Sequence, residues 1–231
     1  MESIDRNSHL SYTRTAGILY LIIIIFGISS EIFVRSGLIV PGNAAATVSN
    51  ILASKALYRA GFLADSVMLF CDVAIAVLFY IIFRPVNKLL SLTACVFRLV
   101  KAAILGVNLL NYYAPLLLAD SGIYETLLST NQVNALVMMF TDLFSHGYDL
   151  GLLFFAFSNL FLGYLIIKSK FLPAVLGYGL QAGAVVYLAG SYTHFLLPDF
   201  VPVFKTLYII PLIAELSFCL WLLLKGINIS E

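Results

Sequence analysis

Six apolar stretches, each about twenty residues or longer, constrain this chain more than any other feature of its sequence. They cover approximately residues 15–34, 60–83, 89–113, 147–167, 171–197 and 204–224. An α-helix rises about 1.5 Å per residue, so about 20 apolar residues cross the roughly 30 Å hydrocarbon core of a bilayer. The runs are continuous and lack the alternation of a membrane β-barrel. The sequence therefore predicts an all-α, polytopic bundle of about six transmembrane helices, in one integral membrane domain over residues 1–231.

Composition supports a membrane location and excludes several other classes of protein. Of the 231 residues, 61% are hydrophobic and 11% are charged, whereas a soluble domain carries about 25% charged residues. Secreted disulfide scaffolds, disordered tails and free cytosolic enzymes are excluded on this ground. The net charge of +1 offers no basic surface, so we expect the lipid bilayer as a partner and no nucleic acid.

The distribution of Lys and Arg predicts that both termini are cytoplasmic. With the N-terminus inside, seven basic residues flank the cytoplasmic ends of the spans and four flank the outer ends. The inner set is Arg6, Arg14, Arg84, Lys88, Lys168, Lys170 and Lys225, and the outer set is Arg35, Lys55, Arg59 and Lys205. The two shortest connections, residues 84–88 and 168–170, are both basic and both fall inside.

Two outer segments are long enough to have structure of their own. Residues 37–59 contain the turn signal Pro41-Gly42-Asn43, followed by a predicted short interfacial helix over residues 47–58. Residues 122–145 carry apolar side chains at helical spacing, and we expect them to enter the fourth span through a break at Gly147.

Five polar residues inside the spans form the first candidate site, because ionisable groups are expensive in hydrocarbon. Counted from the inner ends, Asp72, Arg98, Asn159 and Glu215 lie roughly 14–18 Å deep, near the midplane. Lys101 lies one turn beyond Arg98, at about 20 Å. Such a layer would bind an ionic substrate, relay protons or hold a lipid head group. Two acids against two bases would equally make a structural network that fixes helix order, and the sequence leaves both interpretations open.

A second candidate site lies nearer the outer surface. His146 and Asp149 share a helical stripe if Gly147 does not break it, His194 closes the fifth span, and Asp65 lies two turns before the midplane acid of its helix. Converging at one depth, these four side chains would bind a divalent metal and activate water. The alternative is that they are polar helix ends in contact with water.

Three further patterns concern packing. Pro211 lies one turn before Glu215 and is expected to kink the sixth span. Small residues such as Gly163 and Gly177 are expected to let neighbouring helices approach closely. Tyr112 is expected among the aromatic residues at the membrane interface.

Five groups of residues carry a resemblance to a known family. They are residues 14–20 (RTAGILY), the loop from 41–43 (PGN) to 53–54 (AS), the turn 83–87 (FRPVN) leading to 97–100 (FRLV), the run from 162–166 (LGYLI) to 171–173 (FLP), and the last span from 211 (P) through 215–216 (EL) to 221–222 (WL). Together they resemble the bacterial membrane family called domain of unknown function 4386. The resemblance implies an integral protein of the bacterial inner membrane built as one helical domain. It implies no substrate, cofactor or catalytic residue.

The preferred hypothesis is a protein that binds or passes a small or lipidic ligand at the midplane site. Asp72, Arg98, Lys101 and Glu215 would line this site, and Asn159 would supply neutral hydrogen bonds. One alternative is a membrane-embedded, metal-dependent or acid–base hydrolase that acts on lipid at the second site. Another is an accessory or structural membrane subunit. The sequence favours a protein without catalysis and leaves cofactors, substrate and oligomeric state open.

Overall fold

The computed structural model describes residues 6–227, and this part of the chain folds into helices without strands. The side chains of Arg6 and Lys205, which enter the charge count, lie outside the description. The helices are α1 Arg6–Ser29, α2 Ser36–Leu38, α3 Ala44–Ala53, α4 Lys55–Phe83, α5 Lys88–Ala119, α6 Gly122–Leu127, α7 Thr130–Lys168, α8 Ala174–Leu196, α9 Val201–Leu207 and α10 Ile209–Leu224. A π-helical turn, Ser30–Arg35, joins α1 to α2.

Five helical segments in the described residues are long and apolar enough to cross a membrane. They are Ser11–Leu38, Lys55–Phe83, Lys88–Ala119, Thr130–Lys168 and Ala174–Leu196. A sixth apolar segment, Pro198–Phe204 with Ile209–Leu224, is bent by 46°. The predicted all-α multi-pass bundle of about six spans is thereby confirmed as five or six apolar helices.

The bend in the last apolar segment lies just before Pro211. This residue has no N–H to donate to the carbonyl of Leu207, so the helix loses a hydrogen bond at the point where α9 ends and α10 begins. The structure agrees here with the expected effect of Pro211. The bend directs α9 away from the line of α10 at the loop end of the bundle, which we define by residues 39–43 and 197–200. The opposite, turn end is defined by residues 84–87 and 169–173.

Helix α7 differs from the prediction because it continues without a break through Gly147 and spans 39 residues. A Cβ atom at Gly147 would collide with the side-chain amide of Asn108 on α5. The glycine is therefore explained by close helix approach rather than by a break. Ser129 and Gln132 form a capping box at the start of α7, which fixes where the long helix begins. As a result, His146 and Asp149 belong to one continuous helix.

The six long helices close into a ring. Going round it, α1 packs against α4, α4 against α5, α5 against α7, α7 against α8, α8 against α10, and α10 returns to α1. Small residues allow some of these contacts: a Cβ atom at Gly163 would lie 2.6 Å from the carbonyl oxygen of Gly177. At the turn end, the Cys219 thiol donates to the Gly17 carbonyl oxygen at 3.4 Å, which joins α10 closely to α1.

Two apolar clusters fill the ring at different heights. The buried residues of the cluster at the turn end come from all the long helices except α5, and they include Tyr20, Phe79 and Phe218. The cluster at the loop end is built mainly from α4, α5 and α7. The loop-end cluster leaves the sector between α1, α8 and α10 less filled, and the candidate site described below lies in this sector.

Tyr112 is a correction to the expected interfacial belt. It is buried, with 2% of its surface exposed, and its ring stacks on Tyr58 with the centroids 4.6 Å apart. The Tyr112 hydroxyl donates to the Tyr58 carbonyl oxygen at 2.8 Å, and the Tyr58 hydroxyl donates to the Tyr112 carbonyl oxygen. Each hydroxyl is thus satisfied inside the bundle, which removes the need for an interfacial position.

Candidate functional site

A buried carboxylate on α4 holds two bases on α5. Asp72 is fully buried, and Arg98 and Lys101 are 1% and 5% exposed. The Arg98 Nε atom donates to Asp72 Oδ1 at 2.7 Å, and the Lys101 ammonium donates to Asp72 Oδ2. The two bases lie one helical turn apart on one face of α5, which allows a single carboxylate to bind both.

The Arg98 guanidinium is enclosed by aromatic rings. Its Cζ atom lies 5.4, 5.6 and 5.0 Å from the ring centroids of Tyr20, Phe79 and Phe155. Within residues 6–227, neither Nη atom has a hydrogen-bond partner. The ring faces supply cation–π attraction in place of those hydrogen bonds. Because the rings come from α1, α4 and α7, Arg98 fixes the relative positions of several helices.

Glu215 on α10 is in a different situation from Asp72. Asn159 Nδ2 donates to Glu215 Oε1 at 3.3 Å, and the hydroxyl-bearing side chains of Tyr20 and Tyr187 lie beside the carboxylate. No ion pair joins Glu215 to any base of the described chain. Both acids lie within electrostatic range of the two bases, but only Asp72 contacts them directly.

A cavity of about 780 Å³ extends from this layer toward the loop end. Its volume falls in the range of about 300–1,000 Å³ typical of ligand sites. The apolar walls include Ile23, Ile24, Ile28, Ile32, Met68, Leu152, Phe155 and Leu212. Lys101 and Glu215 lie at its deep end, and Glu31, Arg35, Asp149 and His194 lie nearer the loop end. Ile28 and Ile32 are 40% and 56% exposed although they line the cavity, so the cavity is open along α1.

The π-helical turn places Arg35 at the loop end of the cavity. Arg35 Nε donates to Glu31 Oε2 at 2.7 Å, and its Nη1 atom donates to Asp65 Oδ2 and to Ser30 Oγ, each at 3.0 Å. The guanidinium also lies 5.6 Å from the centroid of the Tyr148 ring. Asp65 therefore pairs with Arg35 and does not join the histidines, which differs from the sequence-based expectation.

The other three residues of the second candidate site lie together. His194 Nδ1 contacts Asp149 Oδ2, the Ser191 hydroxyl donates to Asp149 Oδ1 at 3.1 Å, and the His146 and His194 rings stack with centroids 4.3 Å apart. Stacking puts ring faces, rather than nitrogen lone pairs, opposite each other. In the part of the chain that the structure describes, no group of three or more His, Cys, Asp or Glu side chains is arranged to hold a metal ion.

Sequence reasoning missed two groups of residues. The sequence marks Arg35 only as a charge at the end of a span, whereas the structure makes it the partner of Asp65. The available signal was an acid inside a span with no base within one turn on its own helix. The second group comprises the aromatic side chains of Tyr148, Phe155 and Tyr187, which line the cavity. Because α7 and α8 are apolar on most sides, their sequences do not indicate which side faces the interior of the bundle.

Comparisons with known proteins identify relatives and no activity. Residues 15–226 match the sequence model of the family described as domain of unknown function (DUF4386). An uncharacterised protein of Archaeoglobus fulgidus is 28% identical over 161 residues, which cover 69% of this chain and 80% of that protein. No solved structure matches the chain. The function must therefore be argued from the geometry of the site.

Proposed function

The chain belongs to the family described as domain of unknown function 4386, and we propose that it binds an amphipathic, lipid-like ligand inside the membrane. The cavity of about 780 Å³ between α1, α7, α8 and α10 carries this proposal. Its walls are apolar, its deep end carries Lys101 and Glu215, and it is open along α1. A molecule with a polar head and a hydrocarbon tail matches this distribution of surface.

The midplane residues support the proposal because they divide into two groups. Asp72 and Arg98 are closed off from the cavity and hold helices together, as expected of a structural network. Lys101 and Glu215 belong to the same layer but line the cavity. A purely structural network has no need to leave a carboxylate beside open volume without a direct ion pair, since an unpaired buried charge is destabilising.

Location and orientation are part of the proposal. The resemblance to a bacterial family supports the bacterial inner membrane, and the basic turns at residues 84–88 and 168–170 support cytoplasmic termini. The cavity then opens in the outer half of the bilayer. Passage of a ligand to the other side would require the turn end to open, where α1 and α10 are joined at Gly17 and Cys219.

A cavity-filling substitution tests the proposal. Leu152→Trp on α7 introduces a large side chain at the cavity wall, and Leu150→Trp, on an exposed face of the same helix, is the matched control. The purified variants are incubated with a fluorescent single-chain phospholipid in a neutral detergent, and the bound fraction is measured. We expect Leu152→Trp to weaken binding by at least about tenfold and Leu150→Trp to leave it unchanged.

Other outcomes of this experiment favour other functions. Equal binding by both variants and the parent protein contradicts a ligand site in the cavity. Cleavage of the phospholipid during the incubation favours the acid–base hydrolase hypothesis, in which Asp149 orients His194. Stoichiometric co-purification of a second membrane protein, without bound lipid, favours the accessory-subunit hypothesis.

A further inference from the structure

The deep end of the cavity presents two opposite charges that are not paired with each other. Lys101 and Glu215 both line it, and none of the ion pairs in residues 6–227 joins them. The Lys101 ammonium donates to Asp72 and keeps capacity for further hydrogen bonds, since an ammonium has about three donors. The Glu215 carboxylate accepts from Asn159 and forms no ion pair in residues 6–227, although Arg98 and Lys101 attract it from a longer distance, so it keeps acceptor capacity as well.

The charge balance of the layer restricts what can bind there. Arg98 and Lys101 balance Asp72 and Glu215, so the layer is neutral when all four side chains are ionised. A ligand with a net charge would leave an uncompensated charge in a region of low dielectric, which is unfavourable. A ligand that carries one positive and one negative group keeps the layer neutral and gives each cavity-facing side chain an opposite charge.

The aromatic lining favours a cationic group near Glu215. The rings of Phe155 and Tyr187 lie with their centroids 5.6 Å apart at the cavity wall. The Lys101 ammonium already lies 4.8 Å from the centroid of Phe155. Tyr187, whose ring centroid also lies 5.8 Å from that of Tyr208, is a second aromatic residue of the cavity wall and lies beside Glu215. A carboxylate beside an aromatic ring face is a favourable environment for an ammonium group.

We propose that the cavity binds an amphiphile with a zwitterionic head group, whose ammonium contacts Glu215 and whose phosphate or carboxylate contacts Lys101. This inference rests on the proposed function and names the head-group chemistry of its ligand. The tail lies along Ile24 and Ile28 and leaves the cavity on the open side of α1. An amphiphile with only a cationic or only an anionic head would satisfy one of the two side chains and leave the layer charged.

A series of amphiphiles with the same twelve-carbon chain tests the inference. Dodecylphosphocholine, dodecyltrimethylammonium, dodecyl phosphate and dodecyl maltoside each displace the fluorescent phospholipid from the amphipol-held protein, below their micelle concentrations. We expect dodecylphosphocholine to bind about tenfold more tightly than either singly charged amphiphile, because it makes both charge-assisted contacts.

The variant Glu215→Gln keeps the shape of the side chain and its contact with Asn159 but removes the charge. We expect it to weaken dodecylphosphocholine about tenfold and to strengthen dodecyl phosphate, because a repelling charge is lost. Asp120→Asn is the matched control, since Asp120 pairs with Lys55 and Arg59 outside the cavity. Thermal unfolding of each variant verifies that the fold is retained.

The outcomes separate the two proposals. Failure of every probe to bind the parent protein overturns the proposed function and the inference together. Binding of all four probes with equal affinity, or tightest binding of a singly charged probe, overturns the inference and leaves the proposed function intact. The inference is also overturned if folded Glu215→Gln binds dodecylphosphocholine as tightly as the parent protein.

Discussion

Replacing Asp72 by Asn tests how much the ion pairs of the midplane layer contribute to stability. The substitution keeps the size of the side chain but removes the carboxylate that holds Arg98 and Lys101. Average polar contacts between membrane helices contribute only about 0.6 kcal/mol, whereas removing one partner from a buried ion pair destabilises a protein by about 3–5 kcal/mol. Which value applies depends on whether the stranded bases can reach water or lipid head groups.

The burial of the bases decides in favour of the larger value. Arg98 is 1% exposed and enclosed by rings, so its guanidinium has no route to water. Lys101 borders the cavity and can be solvated there. The substitution leaves Arg98 unpaired and without access to water, while Lys101 can be solvated in the cavity. We therefore expect Asp72→Asn to lower the free energy of unfolding by about 3 kcal/mol.

The assay is unfolding by sodium dodecyl sulfate in mixed micelles, followed by circular dichroism. Asp142→Asn, on an exposed face of α7, is the matched control and should change the free energy of unfolding by less than about 0.5 kcal/mol. The double variant Asp72→Asn with Lys101→Met removes one charge of each sign, and we expect it to recover about 1 kcal/mol relative to Asp72→Asn. A loss below about 0.6 kcal/mol for Asp72→Asn, or no recovery in the double variant, would refute this reasoning.

Two packing predictions use the same measurement. Gly163→Leu should destabilise the protein by about 2 kcal/mol or more, because even a Cβ atom there would collide with the Gly177 carbonyl oxygen; Gly106→Leu, where a Cβ atom meets open space, should be tolerated. Tyr112→Phe should lower the free energy of unfolding by about 1 kcal/mol, because it leaves the Tyr58 carbonyl oxygen without the 2.8 Å hydrogen bond. Equal stability of the two glycine variants, or no change in the tyrosine variant, contradicts these assignments.

The number and type of the spans followed from the sequence because bilayer thickness sets the length of an apolar helix. The bounds of α7 did not. Gly147 is compatible with a helix break and with a close helix contact, and only the position of Asn108 on α5 distinguishes the two. The neighbour of Gly147 in space decides between the two explanations, and a single sequence does not identify that neighbour.

The depth of the candidate-site residues in the bundle could be predicted from the sequence, but their contact partners could not. Counting residues along each helix places Asp72 and Arg98 at one depth, and the short turn between α4 and α5 makes them neighbours. The partnership of Glu215 with Asn159 requires the closure of the ring. The contact of Asp65 with Arg35 depends on the π-helical turn, because this turn changes the direction in which the Arg35 side chain leaves the helix axis. Depth is a property of one helix, whereas pairing is a property of two.

Equal numbers of acids and bases at one depth are compatible with a ligand site or with a structural network. The contacts show that the four charged side chains do not all have the same surroundings. Asp72 binds both bases directly, so three of the four charged side chains form ion pairs that hold α4 and α5 together. Glu215 completes the neutrality without completing an ion pair, and it borders the cavity. Substitution of Asp72 should therefore act mainly on stability, and substitution of Glu215 mainly on ligand affinity. If both substitutions changed stability alone, Glu215 would belong to the structural network and would not contact the head group of a ligand.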